Sequence, residues 1–293
     1  MKFDFHCHSN LSDGFLSPQE LVDYACERDI QLLALTDHDD VGGTTLMKAT
    51  IEQRALSLKL VEGVEISAMS DFGEVHIVGL NVDPTNSNLT QALSQQKQQR
   101  WQRIEDIDHQ LARLGIEGVL AGVKELALQI PTRSHVARVL VDSGYAKDFQ
   151  QAFKRYIGKK AKVKTAKNWM PLDDAVEKIK QAGGIAILAH PTRYPLSNRK
   201  LGYLIEAFAQ AGGEALELSY PSLNRDKQNW LNLHREKNQM LASSGSDFHY
   251  PDLRWTDLGR FPPLDSQIPH VKEWLLEKNQ ALRVELSQSC ARD

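Results

Sequence analysis

Short apolar runs alternate with amphipathic stretches along most of the chain. Phe3 to His6, Leu32 to Thr36, Leu60 to Ala68, Glu74 to Val82, Ile185 to Ala189 and Ala215 to Leu218 read as strands. Each is apolar or alternating and is bounded by turn-forming residues. Another apolar run, Met240 to Ser243, leads into Asp247. Between the strands lie helical patterns. Ser17-Pro18-Gln19-Glu20 opens one of them with a Ser cap, Pro at the first position and Glu three residues after the cap. That helix is expected to reach Arg28. Further helices are predicted over Thr44 to Leu56, Asp173 to Gln181, Leu201 to Ala211 and Arg225 to Lys237. Ser70-Asp71-Phe72-Gly73 is a turn signal between the third and fourth strands. A hairpin there would bring Glu65 close to His76.

This rhythm breaks at Asn86. From there to Leu114 the chain is rich in Gln and Arg, with apolar residues at Leu89, Leu93, Ile104, Ile107, Leu111 and Leu114. That spacing predicts one long amphipathic helix. More helical pattern follows to about Tyr156, then a lysine-rich loop from Lys159 to Lys167. The α/β alternation resumes at Leu172. The expected organisation is therefore a discontinuous α/β unit, residues 1–85 and 168–293, with a helical insertion over 86–167. Repeated strand–helix units build parallel sheets or barrels, and in barrels the chemistry sits at the C-terminal strand ends.

Charge sharpens the division. The net charge is −3, yet residues 97–167 hold 15 Lys and Arg against 7 Asp and Glu, leaving 20 against 31 elsewhere. A basic block in an acidic protein suggests an anionic partner, although a solvated helical surface would also produce one. At 293 residues, with 41% hydrophobic and 25% charged positions, the composition is that of a globular protein. No apolar run is long enough to span a membrane, and the start does not resemble a secretion signal. Three cysteines, Cys7, Cys26 and Cys290, argue against a disulfide framework and suggest a reducing cytoplasm.

The candidate chemistry is concentrated at strand ends. His6 and His8 lie two apart at the end of the first strand, so both imidazoles share one face. Cys7 points the other way and reads as a small buried hydrophobe. Asp247 and His249 answer from the far end of the chain. Six of the ten histidines, namely His6, His8, His38, His76, His190 and His249, fall at strand ends or in the hairpin, accompanied by Asp13, Glu65 and Asp247. Nine nitrogen and oxygen ligands exceed the four that one zinc ion takes, so two or three ions are implied. Imidazole and carboxylate without thiolate suit Mn²⁺, Fe²⁺ or Zn²⁺. Clustered ions of this kind activate water and clamp phosphoryl groups, which makes phosphoester hydrolysis the expected reaction.

His6-Cys7-His8 with Asp13-Gly14, Thr36-Asp37-His38-Asp39, Gly63-Val64-Glu65-Ile66-Ser67, Ala189-His190-Pro191 and Gly245-Ser246-Asp247-Phe248-His249 resemble the successive motifs of the PHP (polymerase and histidinol phosphatase) family. The resemblance implies a distorted (β/α)₇ barrel with three divalent metal ions, Mn²⁺ foremost, with Fe²⁺, Zn²⁺ or Mg²⁺ as alternatives. It implies one ion on His6, His8, Glu65 and Asp247, a second bridged by Glu65 and held by His76 and His190, and a third on Asp13, His38 and His249. Glu65 and Asp247 would then be the carboxylates of the catalytic centre.

His76-Ile77-Val78-Gly79-Leu80, Thr132-Arg133-Ser134-His135-Val136-Ala137-Arg138 and His190-Pro191-Thr192-Arg193-Tyr194 resemble one bacterial branch of that family. Its members remove the 3′-phosphate from nucleoside 3′,5′-bisphosphates, turning pAp into AMP. They also trim short 5′-phosphorylated RNA from the 5′ end, including rRNA 5′ ends. On this resemblance Arg133, Ser134, His135 and Arg193 would contact substrate. The arginines suit phosphate as guanidinium forks, and His135 suits either a phosphate contact or proton donation to the leaving group. The lysine loop would hold trailing RNA without sequence preference. No membrane and no obligate protein partner is expected. Two rivals stand beside this reading. A PHP phosphatase for another small phosphomonoester, such as histidinol phosphate, would leave the basic insertion unexplained. A nucleic-acid-binding module with a structural metal core would not need so many open ligands.

Overall fold

The computed structural model describes residues 1–158, 161–164, 168–251 and 255–279. Its sheet runs in the order β1 (Phe3–Asp4), β2 (Leu32–Leu35), β3 (Lys59–Ser70), β4 (Gly73–Leu80), β6 (Ile185–Leu188), β7 (Ala215–Ser219) and β8 (Leu241–Ser244). The short β5 (Met170–Pro171) pairs with β3 off this path. Beyond their ends the first and last strands meet. Phe5 N–H donates to Ser244 O at 3.3 Å, Asp247 N–H to His6 O at 2.8 Å, and His8 N–H to Phe248 O at 2.9 Å. The result is a nearly closed, barrel-like α/β sheet.

Neighbouring strands are parallel except where β4 stands, antiparallel to both β3 and β6. The reversal follows from the Ser70–Gly73 turn, in which Gly73 takes a φ of +113°, a conformation that glycine adopts without Cβ strain. Register pairs Ser67 with His76 and Glu65 with Val78. Glu65 and His76 are thus diagonal neighbours on one face.

The helices are α1 (Pro18–Glu27), α2 (Gly43–Gln53), α3 (Ser87–Ala112), α4 (Val119–Leu126), α5 (Arg133–Asp142), α6 (Phe149–Ala152), α7 (Leu172–Gln181), α8 (Asn198–Gln210), α9 (Arg225–Lys237) and α10 (Val271–Lys278). The Ser17–Glu20 capping box is present at the start of α1. All four residues of β2 are buried, because both faces are covered. Leu32 and Ala34 pack with Phe5, Val61, Val78 and Ile187 inside the sheet, while Leu33 and Leu35 pack against Leu21 and Val22 of α1. Such two-sided burial explains why the strand reads as a continuous apolar run.

The long helix α3 joins two cores. Leu89 and Leu93 belong to the layer outside the sheet, whereas Ile104, Ile107 and Leu111 join a separate cluster with Val123, Val136, Leu140 and Tyr156. Where α3 passes the sheet, Arg100 Nε bonds Asp39 Oδ2 at 2.6 Å and Gln96 Nε2 bonds Ser67 O at 2.6 Å. Trp169 lies under the guanidinium groups of Arg100 and Arg103, each 5.0 Å from its ring, and donates to Glu74 at 2.9 Å. Part of the basic block is therefore turned inward and neutralised. Of the lysine loop, Lys159, Lys160 and Lys167 lie outside the described residues. Lys162 and Lys164 are exposed, and Lys164 exchanges backbone hydrogen bonds with the Gln110 amide at 2.6 and 2.8 Å.

Candidate metal centre

The nine residues singled out at strand ends converge on one point. Glu65, fully buried, lies at its middle. Its Oε1 is 3.3 Å from His6 Nε2, 2.9 Å from His76 Nδ1 and 3.1 Å from His190 Nε2. Its Oε2 is 3.3 Å from His8 Nε2 and 2.9 Å from His38 Nδ1. On one side Asp247 Oδ1 approaches His6 and His8 Nε2 at 3.4 and 3.2 Å. On the other, Asp13 Oδ1 lies 3.2 Å from His249 Nε2 and 3.6 Å from His38 Nε2.

Three sets of ligand atoms lie within 4.8 Å of one another: His6, His8, Glu65 and Asp247; His8, Asp13, His38 and His249; and His38, Glu65 and His76. The first set coincides with the expected one. The second adds His8 to the expected trio. In the third, His38 takes the place expected of His190, which remains beside Glu65. The chemistry of the donors fits divalent cations. His6 Nε2, Asp13 Oδ1, His38 Nδ1 and Glu65 Oε2 are buried without a hydrogen-bond partner, and each such orphan costs about 1–3 kcal/mol. His38 Nδ1 and Glu65 Oε2 are close but misaligned for a hydrogen bond, as two ligands of a shared ion would be. Imidazole and carboxylate without thiolate is a donor set for Mn²⁺, Fe²⁺ or Zn²⁺.

Electrostatics points the same way. Burial alone would depress the histidines, but the carboxylates of Glu65, Glu217 and Asp247 hold His6 well above its ordinary range. His8 is pushed up to about 10 by Asp247 and Glu65 against the same desolvation. Glu65, Asp13 and Asp247 are held well below the usual carboxylate range by the surrounding imidazoles, despite burial. His38 is instead pushed down to about 4, because its burial outweighs the neighbouring acids. A site that holds three buried carboxylates ionised requires positive charge at its middle, supplied by protons or by cations.

A surrounding layer fixes these side chains, and the strand-end pattern did not reveal it. Glu217 of β7 takes His6 Nδ1 at 3.0 Å and the backbone N–H of His190 at 2.5 Å, turning His6 Nε2 toward the centre. Asp37 accepts from Ser9 N–H at 2.8 Å, and from the Ser9 and Ser12 hydroxyls at 2.5 Å each, which shapes the loop carrying Asp13. Asp4 accepts from the backbone of His6, Ser246 and Gly259 at 3.1, 2.9 and 2.7 Å; burial nevertheless pushes it up to about 6. Asp39, His190 and Asp247 take left-handed backbone, with φ of 47°, 30° and 49°, a conformation concentrated at functional sites. The one available signal was an acidic residue inside an apolar run, as in Ala215-Leu216-Glu217-Leu218.

Of the expected substrate contacts, Arg193, Ser134 and His135 border the cluster. Arg193 pairs with Asp247 and lies over the Tyr220 ring at 5.4 Å. Ser134 Oγ donates to Asp13 Oδ2 at 3.1 Å, which sets the first turn of α5 beside Asp13. His135 Nδ1 accepts the Thr132 N–H at 3.0 Å, and burial lowers the ring's pKa. The imidazole is therefore neutral with its proton on Nε2.

This site on this sheet defines a PHP-domain protein: the PHP domain matches residues 4–166, and the chain belongs to that family. Similarity to individual members extends over nearly the whole chain. A 5′-3′ exoribonuclease of Haemophilus influenzae is 39% identical over 269 residues, covering 92% of this chain and 97% of that protein. A 3′,5′-nucleoside bisphosphate phosphatase of Chromobacterium violaceum is 37% identical over 266 residues, covering 89% and 93%. The solved structure of an amidohydrolase from Chromobacterium violaceum, with bound sulfate and no metal, matches with a TM-score of 0.86 at 34% identity over 97% of each chain. Among the described residues no helix is long and apolar enough to cross a membrane.

Proposed function

We propose that the protein is a phosphoesterase that removes the 3′-phosphate of nucleoside 3′,5′-bisphosphates, converting pAp to AMP. We further propose that it trims short 5′-phosphorylated RNA, including rRNA 5′ ends, from the 5′ end. The observation that carries this reading is the convergence of six imidazoles and three carboxylates, with five orphaned buried atoms among them, on a chain 37–39% identical to named nucleotide and RNA hydrolases. In this reading three divalent ions, Mn²⁺ foremost, are held by His6, His8, Glu65 and Asp247, by Glu65, His76 and His190, and by Asp13, His38 and His249. Bound ions of this kind lower the pKa of water and offset phosphoryl charge.

The remaining roles belong to the chain. Glu65 and Asp247 hold the centre together from opposite sides. Arg193, beside Asp247, and Arg133, at the start of α5, bind phosphoryl oxygens through their guanidinium forks. Ser134 ties α5 to Asp13. His135, neutral with a proton on Nε2, donates that N–H to a phosphoryl or leaving-group oxygen. The insertion, residues 86–167, is the unit that brings Arg133, Ser134 and His135 to the mouth of the barrel. A 5′-phosphate anchor explains how one site serves both substrates: it fixes the 5′ end while the next phosphate, terminal or diester, is attacked. The free thiols of Cys7 and Cys26 suit the reducing cytoplasm proposed as its setting.

The test is phosphate release by the Mn²⁺-loaded protein from pAp and from 3′-AMP, with 5′-phosphorylated and 5′-hydroxyl RNA in parallel. Clear preference for the substrates carrying a 5′-phosphate is expected. Equal rates on pAp and 3′-AMP would reject the anchor.

A further inference from the structure

A cleft of about 310 Å³ lies between the turn Pro191–Arg193 and the first turns of α8 and α9, and none of the roles above uses it. These segments follow the C-terminal ends of β6 and β7, so the cleft opens on the face that carries the centre. Tyr194, Leu196, Leu201 and Trp230 form its apolar wall, and the exposed Asn198 and Lys227 border it. Its volume is that of a small ligand site.

Three observations specify what would fill it. The first is position. The Tyr194 ring stands edge-on to His190 at 5.6 Å. Its hydroxyl donates to Ala189 O and accepts the His76 N–H, each at 2.9 Å. Tyr194 therefore borders both the cleft and the centre. The same turn carries Arg193 to Asp247, while Ser134 and α5 approach from Asp13 on the opposite side. The second is a rigid ring. Trp230 is half-buried, and His234 backs it at 4.1 Å between ring centroids. The third is charge. Residues 191–200 and 221–230 hold Arg193, Arg199, Lys200, Arg225 and Lys227 against one acid, Asp226. All five cations are exposed, unlike Arg100 and Arg103. A cationic rim around an aromatic-walled cleft is the means by which proteins hold single-stranded nucleic acid, the cations following the backbone and the rings stacking the bases.

We infer that this cleft is the subsite for the nucleotide that follows the scissile phosphate in RNA, with its base stacked on Trp230 and its edge at Asn198. The inference rests on the reading of the centre as a nucleotide phosphoesterase. With the 5′-terminal nucleotide on the α5 side and the scissile phosphate at the centre, RNA continues toward Arg193 and the cleft. The substrate pAp ends at its 3′-phosphate and does not reach it.

The test uses a 5′-phosphorylated dinucleotide in which a methylene replaces the scissile bridging oxygen, so that it cannot be cleaved there. It is compared with the same molecule lacking the second base, binding to the Mn²⁺-loaded protein by calorimetry. Wild type should bind the form with the base at least about tenfold more tightly. Trp230→Ala, which removes the ring, and Asn198→Trp, which fills the cleft from its exposed edge, should each remove most of that difference. Both should leave pAp hydrolysis unchanged, and thermal unfolding reports that the fold is retained. Equal affinity of wild type for the two analogues, no measurable binding, a difference that survives both substitutions, or a parallel loss of pAp hydrolysis would overturn the subsite. Base-dependent binding without pAp hydrolysis by wild type would leave the subsite standing and sink the proposed reaction. Hydrolysis of pAp with base-independent binding would do the reverse.

Discussion

Replacing Glu217 by Gln changes almost nothing in volume and removes one acceptor from the layer behind the centre. In the native site one carboxylate oxygen takes His6 Nδ1 at 3.0 Å and the other takes the His190 backbone N–H at 2.5 Å. Glu217 is 2% exposed, so water is not at hand to replace either bond. A Gln side chain has a single acceptor oxygen. If that oxygen stays with His190, the amide NH₂ faces His6 and favours the tautomer protonated on Nε2. The centre then meets a proton where it had a lone pair. Losing a charge-assisted hydrogen bond of this kind costs about 1.5–3 kcal/mol, or about 10- to 150-fold in ion affinity. Loss of an outer partner of a metal-binding histidine typically costs about 10- to 100-fold. The assay is competition for Mn²⁺ against a fluorescent chelator, followed by phosphate release at rising Mn²⁺. Weaker binding, with activity partly regained at high Mn²⁺, is expected. A Glu217→Gln protein that binds Mn²⁺ as tightly as wild type would refute the orienting role of Glu217.

Other consequences can be checked independently. Asp39→Ala leaves Arg100, whose side chain is 7% exposed, buried without its partner at the junction of α3 and the sheet. A loss of about 3–5 kcal/mol is expected in urea unfolding; a loss under about 1 kcal/mol would contradict the junction described. In Gly245→Ala the new Cβ would sit 2.3 Å from His6 Cβ and 2.8 Å from its backbone nitrogen, so the variant should lose Mn²⁺ binding and thermal stability together. Retention of both would show that the closure between the first and last strands is looser than it looks. His270 is pushed down by burial to about 4 from an ordinary 6.5. Between those values the unfolded chain takes up a proton that the folded chain refuses, so stability falls as pH drops below 6.5. Between pH 7.5 and 5.5 this costs about 1 kcal/mol. His270→Asn, which can still cap α10, should flatten the pH profile of unfolding by that amount; an unchanged profile would rule His270 out as its source.

The cluster of imidazoles and carboxylates was legible because its signals are local. His6 and His8 two apart, Asp247 and His249 two apart, and a turn between Glu65 and His76 each fix a face or a loop without knowledge of distant residues. The supporting layer was not legible, because its meaning lies in long-range pairs. Glu217 serves His6, which is 211 residues away. Asp39 serves Arg100, which is 61 residues away. As sequence, each is one acid in an apolar or polar run. The same limit affected the basic block, where counting charges cannot tell a guanidinium that faces solvent from Arg100 or Arg103, turned inward onto Trp169. Neither β5, two residues long, nor the turn of π-helix over Phe153–Ile157 has a periodic signature. β5 forms by pairing with β3 just before α7, and the π-helical turn packs against α5 and α6; both depend on partners distant in the chain.

The central claim is that this centre hydrolyses phosphate esters of nucleotides. It is tested most directly by loading the protein with Mn²⁺ and measuring phosphate released from pAp and, separately, from histidinol phosphate. Rapid release from pAp with little from histidinol phosphate is the expected result. Release from histidinol phosphate alone would contradict the nucleotide reading and leave the PHP fold and its cluster of metal-binding side chains serving a different phosphomonoester.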